Sequence, residues 1–213
     1  MKNLDQKEAF DVLRKNKIPA VKSYAAKNEK DLLKIFRKIE KPVALKVISE
    51  DIVHKSDSGC LKININDEKG AVAAYKEIVN NAKKQKAKVQ GVLLQEMLQG
   101  NEVIIGVKRD PQFGNVIAFG LGGIFVEVMK DVSLRICPIT KKDAEEMIEE
   151  IKGKKILEGY RGRKAVNKKK LVEMIVKVSN MAENNSKIKE LDLNPVMVDE
   201  KNAAVVDARI IYE

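Results

Sequence analysis

Asp192 and Asn194 lie in one alternating run, Glu190-Leu-Asp-Leu-Asn-Pro-Val-Met-Val198. Asp207 and Arg209 lie in a second, Ala203-Ala-Val-Val-Asp-Ala-Arg-Ile210, with Asp199-Glu-Lys-Asn202 between the two. Folding the runs as a hairpin about that four-residue turn sets Asn194 opposite Asp207 and Asp192 opposite Arg209. Leu191, Leu193, Val206, Ala208 and Ile210 then share a face for burial, while the four polar residues share the other. Directly opposed side chains have Cβ atoms roughly 5 Å apart, so one hard cation could bridge a carboxylate and an amide oxygen. Mg²⁺ beside phosphates takes such a site, with waters and phosphate oxygens completing its shell. The same pattern also describes a solvated edge hairpin carrying a surface ion pair.

A single Lys46 sits inside the apolar run Pro42-Val-Ala-Leu-Lys-Val-Ile48. Either this strand lines a cleft where Lys46 meets an anion, or the side chain snorkels to the surface. The only histidine, His54, opens His-Lys-Ser-Asp-Ser-Gly59, and backbone amides of such a hydroxyl- and glycine-bearing stretch can cradle phosphate oxygens. A histidine with an ordinary pKa of about 6.5 is largely neutral at cytoplasmic pH and can act as a nucleophile; an inert loop histidine is the alternative. Gly120-Leu-Gly-Gly123 lacks the third glycine and following helix of a dinucleotide fingerprint. It reads as a tight bend that lets the backbone approach another group. No Walker motif, G-x-S-x-G or metal-binding histidine pair is present.

The elements that must position these residues follow from periodicity. Ala9, Phe10, Val12 and Leu13 mark a first helix, and Leu32, Leu33, Phe36 and Ile39 a second that ends at Lys41-Pro42. Strands are expected over 43–48, 61–65 and 89–94, with a helix over 67–84. Beyond residue 100, strands are expected over 103–107, 116–119, 125–129 and 132–136, then helices over 142–151 and 168–182, then the hairpin. The fold class is therefore mixed α/β (α+β) in two lobes, 1–97 with the leading helix and 98–213 with the hairpin.

Length and composition set limits. With 213 residues, 44% apolar, the chain can bury two small cores. It has no run of apolar residues long enough to span a bilayer and no apolar signal core, so no membrane association is expected. Two cysteines, Cys60 and Cys137, do not make a disulfide framework or zinc site, which fits a reducing cytoplasm. The net charge of +10 comes from lysines interspersed with acids, and aromatics are only 4%, a pattern of solvated ion pairs more than of a nucleic-acid stripe. Phosphate-rich small molecules would be attracted to it as well.

Taken together, several segments resemble one family. Val43 through Gly59, Leu94-Gln-Glu-Met97 followed by Gly100-Asn-Glu102, Arg109-Asp-Pro-Gln-Phe-Gly114, Phe119-Gly-Leu-Gly-Gly-Ile-Phe-Val-Glu-Val128, Gly159-Tyr-Arg-Gly162 and Glu190-Leu-Asp-Leu-Asn-Pro195 are similar to the ATP-grasp subunit of ADP-forming acetyl-CoA synthetases. The match covers almost the whole chain. The resemblance implies an ATP-grasp fold with the nucleotide between two lobes, ATP/ADP and Mg²⁺ as cofactors, and reversible conversion of acyl-CoA, ADP and phosphate to acid, ATP and CoA. It further implies a separate CoA-binding α subunit, in an α₂β₂ assembly, and no nucleic acid.

By motif, Lys46 resembles the lysine on the α- and β-phosphates, Glu96 and Met97 the adenine hinge, and Glu102 the acid on the ribose. Asn194 and Asp207 resemble the Mg²⁺ ligands, with Asp192 in support. His54 resembles a phosphoryl-accepting histidine, beside a phosphate loop at Ser58 and Gly59. Arg135, Arg161 and Arg209 are candidate clamps on the transferring phosphate. Cys60 stands where a glycine is common in relatives, which stiffens that loop. Rival readings are a succinyl-CoA synthetase β-like subunit, the detached half of a protein acetyltransferase, a regulatory ATP-binding protein that has lost catalysis, and a basic nucleic-acid-binding protein.

Overall fold

The computed structural model describes residues 1–49, 51–52, 58–123, 131–160, 162 and 164–213. His54, Arg161 and the strand expected over 125–129 lie outside the described residues. In chain order the first elements are β1 (Lys2–Asn3), α1 (Gln6–Lys15), β2 (Ser23–Ala26), α2 (Glu29–Phe36), β3 (Val43–Ile48), β4 (Leu61–Ile65), α3 (Glu68–Lys84) and β5 (Gly91–Glu96). Then come β6 (Asn101–Asp110), β7 (Gly114–Leu121), β8 (Val132–Ile136), α4 (Lys141–Glu150), α5 (Lys154–Leu157) and α6 (Lys168–Glu183). The chain closes with β9 (Ile188–Val198), β10 (Ala203–Val205) and β11 (Ala208–Tyr212). They fall into two units, one of Val21–Leu98 and one of Met1–Ala20 with Gln99–Glu213.

In the unit Val21–Leu98 the strands run β2-β5-β3-β4, antiparallel throughout. The helices start where short polar side chains take up free amides: Asn28 Oδ1 accepts the Asp31 N–H at 2.9 Å and Asp67 Oδ1 the Gly70 N–H at 2.7 Å. Strand alternation does the sorting. Val43 and Leu45 pack with Leu32, Phe36, Ala71, Ile78, Val92 and Leu94 into one core, and Ala44 and Lys46 take the opposite face.

In the other unit the strands run β1-β11-β9-β6-β7-β8, with β10 on the far part of β9. Helix α6 packs on β6 and β7, α4 on β7 and β8, and α1 on β11. Their apolar faces meet Ile105, Ile117, Phe119, Leu191, Leu193 and Ile210, all fully or almost fully buried. The leading helix thus belongs with Gln99–Glu213, whereas the sequence places it in a 1–97 lobe. The reason is strand pairing: Lys2 lies opposite Tyr212 and Asn3 opposite Ile211, and Leu4 N–H reaches the Ile210 carbonyl at 2.9 Å.

The hairpin has the expected register. Arg209 is paired with Asp192, Ala208 with Leu193 and Ile210 with Leu191, and the Asn194 N–H donates to the Asp207 carbonyl at 3.2 Å. One residue departs from it. Val206 is half-buried, and Val205, Val196 and Val198 are buried in its place. β9 carries one extra residue relative to β6 where the register shifts between Val103 and Ile105, so the inward parity reverses around 194–195.

Surface charge is dispersed. Lys7 pairs with Asp11, Lys62 with Glu77, Lys76 with Glu29 and Lys142 with Glu146. Exposed pairs of this kind are worth about 0–1 kcal/mol each. Among the described residues no helix is long and apolar enough to cross a membrane.

Candidate nucleotide and metal site

In the unit Gln99–Glu213, Gly106 of β6 lies opposite both Asp192 of β9 and Ala118 of β7, and Asp192 lies opposite Arg209 of β11. This row occupies the sheet face that alternates away from the buried Ile105, Leu193 and Ile210. Asp192, Asn194, Asp207 and Arg209 are therefore gathered on one hairpin. Gly106 leaves the space beside Asp192 free of a side chain.

The electrostatics are unbalanced toward negative. Burial pushes the Asp192 carboxyl above its ordinary range, and Asp207 and Glu190 push it the same way against the pull of Arg209. The Arg209 guanidinium also stands 3.8 Å from Glu190. Asp207 Oδ1 accepts two hydrogen bonds, from Ala208 N–H at 3.0 Å and from the Gln6 side-chain amide at 3.0 Å.

The donor set of Asn194, Asp207 and Asp192 is all oxygen, which fits a hard divalent cation. Among the described residues no cluster of three or more His, Cys, Asp or Glu is placed to hold a metal. A cation here would draw the rest of its shell from water and from a ligand's own oxygens.

Glu102 begins the same strand system on β6, opposite Met197. The Gly120-Leu-Gly-Gly123 bend closes on it: the Gly122 N–H donates to the Glu102 carbonyl at 2.8 Å. A Cβ on Gly122 would lie 2.9 Å from Glu102 Cβ, and one on Gly123 would lie 3.3 Å from Glu102 Oε2. The spacing of the glycines announced a close backbone approach, and Glu102 is what they approach.

Arg135 is not brought to this face. Its β8 position pairs with Ile117, which is buried on the helix side, and its guanidinium is held by Glu150 and lies 3.7 Å from Glu146, both on α4. The pairing holds the Glu150 carboxyl down to about 2. The resemblance implies a phosphate for Arg135; its partners here are carboxylates one helix away.

In the unit Val21–Leu98, Lys46 is only 5% exposed and lies between Leu61 and Leu93 on the sheet face opposite the core. Glu96 donates its N–H to the Lys22 carbonyl at 3.1 Å and sets its carboxylate 3.4 Å from Lys22 Nζ. Met97 donates to the Pro42 carbonyl at 3.3 Å, and its sulfur accepts the Asn64 N–H at 3.1 Å. The turn at Ser58 and Gly59 is pinned to α3: Gln85 Nε2 donates to the Ser58 carbonyl and Asn81 Nδ2 to the Gly59 carbonyl, both at 2.9 Å. Gly59 has φ +65°, and Cys60 after it fills a small core with Val47, Ile52 and Ala82.

Sequence reasoning passed over Gln6 and Asp131. Asp131 accepts the N–H groups of Lys152 at 2.9 Å and Gly153 at 2.8 Å. Asp207, which Gln6 meets, and Lys152 and Gly153, which Asp131 meets, are remote in sequence, so no local spacing marks either residue.

An ATP-grasp domain model matches residues 1–211. The chain is 47% identical over 211 residues to the β subunit of ADP-forming acetate–CoA ligase I of Pyrococcus furiosus, covering 98% of this chain and 91% of that one. It superposes with a TM-score of 0.97 and 41% identity on a Ca. Korarchaeum cryptofilum acetyl-coenzyme A synthetase 1 in complex with coenzyme A, Ca-AMPCP and HgCl+, covering 100% of this chain and 94% of that one. A second structure of that enzyme, with coenzyme A and Mg-AMPPCP and its phosphohistidine segment pointing towards the nucleotide binding site, gives 0.87 and 39% over 100% and 93%. The chain belongs to the ATP-grasp family, among the β subunits of the ADP-forming acetate–CoA ligases.

Proposed function

We propose that this chain is the nucleotide-binding β subunit of an ADP-forming acyl-CoA synthetase. With a CoA-binding α subunit, in an α₂β₂ assembly, it converts acetyl-CoA or another acyl-CoA, ADP and phosphate to the acid, ATP and CoA. The observation that carries this reading is the Asn194–Asp207 pair on the polar face of the hairpin, next to Asp192. A Mg²⁺ ion bound there would neutralise phosphate oxygens during phosphoryl transfer, whose transition state spreads charge over them.

The chain's own residues divide the remaining work. Lys46 holds the α- and β-phosphates, Glu96 and the backbone at Met97 meet the adenine edge, and Glu102 accepts hydrogen bonds from the ribose hydroxyls. Ser58 and Gly59 present amides to the transferring group, and Arg161 and Arg209 offset its charge. His54 takes the phosphoryl group from the α subunit: an N–P bond forms at its imidazole as the bond to the donor breaks. An oxygen of the ADP β-phosphate then attacks that phosphorus, and the imidazole departs.

The test mixes this chain with its candidate CoA-binding partner, acetyl-CoA, ADP, phosphate and Mg²⁺, and measures ATP together with acid-labile protein phosphate. Both products are expected with the native pair and neither with His54→Ala. Turnover of His54→Ala at the native rate would end the relay.

A further inference from the structure

Asp207 sits in the short break between β10 and β11, where the hairpin's parity reverses. Its backbone carbonyl accepts the Asn194 N–H across the hairpin, and its side-chain Oδ1 is fixed from two sides, by its own neighbour's N–H and by Gln6 Nε2, each at 3.0 Å. Gln6 is the first residue of α1 and 201 positions away in sequence.

Its own placement is firmly set. The Asp5 carboxylate accepts the Glu8 N–H at 2.8 Å, and Glu8 returns the bond to the Asp5 N–H at 3.0 Å, a reciprocal cap that fixes the first turn. Ala9, Phe10 and Leu13 bury the helix against β11, and Leu4 is tied to Ile210. The side chain that reaches Asp207 therefore stands on a clamped element. Its chemistry is also apt: a neutral amide orients a carboxylate and leaves its charge intact, whereas lysine or arginine would compete with a cation.

We propose that Gln6 is a positioning residue that holds the Asp207 carboxylate in the orientation that receives the divalent cation. This rests on the reading of Asp207 as a ligand of that cation. Outer-shell partners of metal-ligating carboxylates typically change metal affinity by ~10–100-fold when removed.

The experiment titrates Mg²⁺ into the 213-residue chain with ADP and follows nucleotide binding by calorimetry, with Mn²⁺ binding by water-proton relaxation as a readout free of turnover. Gln6→Met keeps the length without a donor, and Gln6→Glu sets a carboxylate against Asp207; Asp207→Ala is the control. Gln6→Met is expected to raise the half-saturating Mg²⁺ and Mn²⁺ concentrations about 10-fold, Gln6→Glu more, with ADP affinity in the absence of metal unchanged. If Asp207→Ala shifts the titration and both Gln6 variants overlay the native curve, the positioning role is wrong. A Gln6→Met variant whose metal-free and metal-bound affinities fall equally would show a merely structural role and also overturn it. If Asp207→Ala itself overlays the native curve, the metal reading of the hairpin fails, and the proposal with it.

Discussion

The Gly122 amide hydrogen bonds to the Glu102 carbonyl at 2.8 Å, with Gly122 Cα so close that a methyl group there would press on Glu102 Cβ and, at 3.1 Å, on its carbonyl carbon. The contact is largely backbone to backbone and cannot be relieved by a rotamer change. Gly122→Ala is expected to destabilise its unit by about 1–3 kcal/mol, the usual range for overpacking, and to move the Glu102 carboxylate. If Glu102 binds ribose, the native preference for ADP over 2′-deoxy-ADP shrinks in this variant. Melting curves and the ratio of the two dissociation constants measure both effects.

Lys46 offers a contrast between stability and binding. Lys46→Met keeps much of the volume and removes a charge from a nearly buried strand position. A hydrogen bond to a charged group is worth roughly 1.5–3 kcal/mol, so ADP affinity is expected to fall ten-fold or more. A native-like affinity measured by calorimetry would remove Lys46 from the phosphate site.

Asp192 should report the strain of an acidic face. Its carboxyl is raised above the ordinary 3.8, chiefly by burial. An acid raised by folding is stabilising in its protonated form, and that contribution is lost as pH climbs through the raised value. Asp192→Asn is therefore expected to raise the melting temperature of the nucleotide-free chain at pH 7, and the gain should vanish below pH 3.8. The same variant should need more Mg²⁺ for nucleotide binding. A melting temperature lowered at pH 7 would contradict the burial argument.

Glu149 and Glu150 carry the opposite sign. Lys168 and Lys154 hold Glu149 down to about 2, and Arg135, with Ser133, holds Glu150 there too. Their contribution is present above the ordinary 4.5 and is lost as pH falls toward 2. Melting temperature measured from pH 5 to pH 2 is expected to drop less in Glu149→Gln/Glu150→Gln than in the native chain. Both carboxylates are exposed to solvent, so added salt should narrow the difference.

Arg135→Met separates anchoring from catalysis. With its guanidinium given over to Glu150 and Glu146, the variant is expected to melt at a lower temperature and to form ATP with the partner subunit at a rate within a factor of about two of native, well short of the 10²-fold loss typical of a removed transition-state donor. A loss of that size without a drop in melting temperature would return Arg135 to the phosphate.

Much of this was legible because period-two patterns with one polar face admit a single register. The Asp192–Arg209 and Asn194–Asp207 pairings are local in that sense. Val206 was misplaced because the reversal of parity is imposed by a third strand, β6, whose extra-residue mismatch with β9 leaves no trace in the hairpin's own residues. Likewise the amphipathic pattern of α1 announces a buried face but not which sheet will cover it; the pairing of Lys2 and Asn3 with the last strand decides that. β2 escaped notice because Ser-Tyr-Ala-Ala is short and half exposed. Arg135 was named as a clamp on the resemblance alone, which says nothing of the carboxylates on α4.

The division of the chain has an outcome in biosynthesis. Val21–Leu98 is one uninterrupted stretch and can fold as soon as it leaves the ribosome. Leu4 meets its acceptor at Ile210 only after all of Val21–Leu98 has been made. The unit that carries the Asp192–Asp207 hairpin is thus completed after Val21–Leu98, from two segments that flank that stretch.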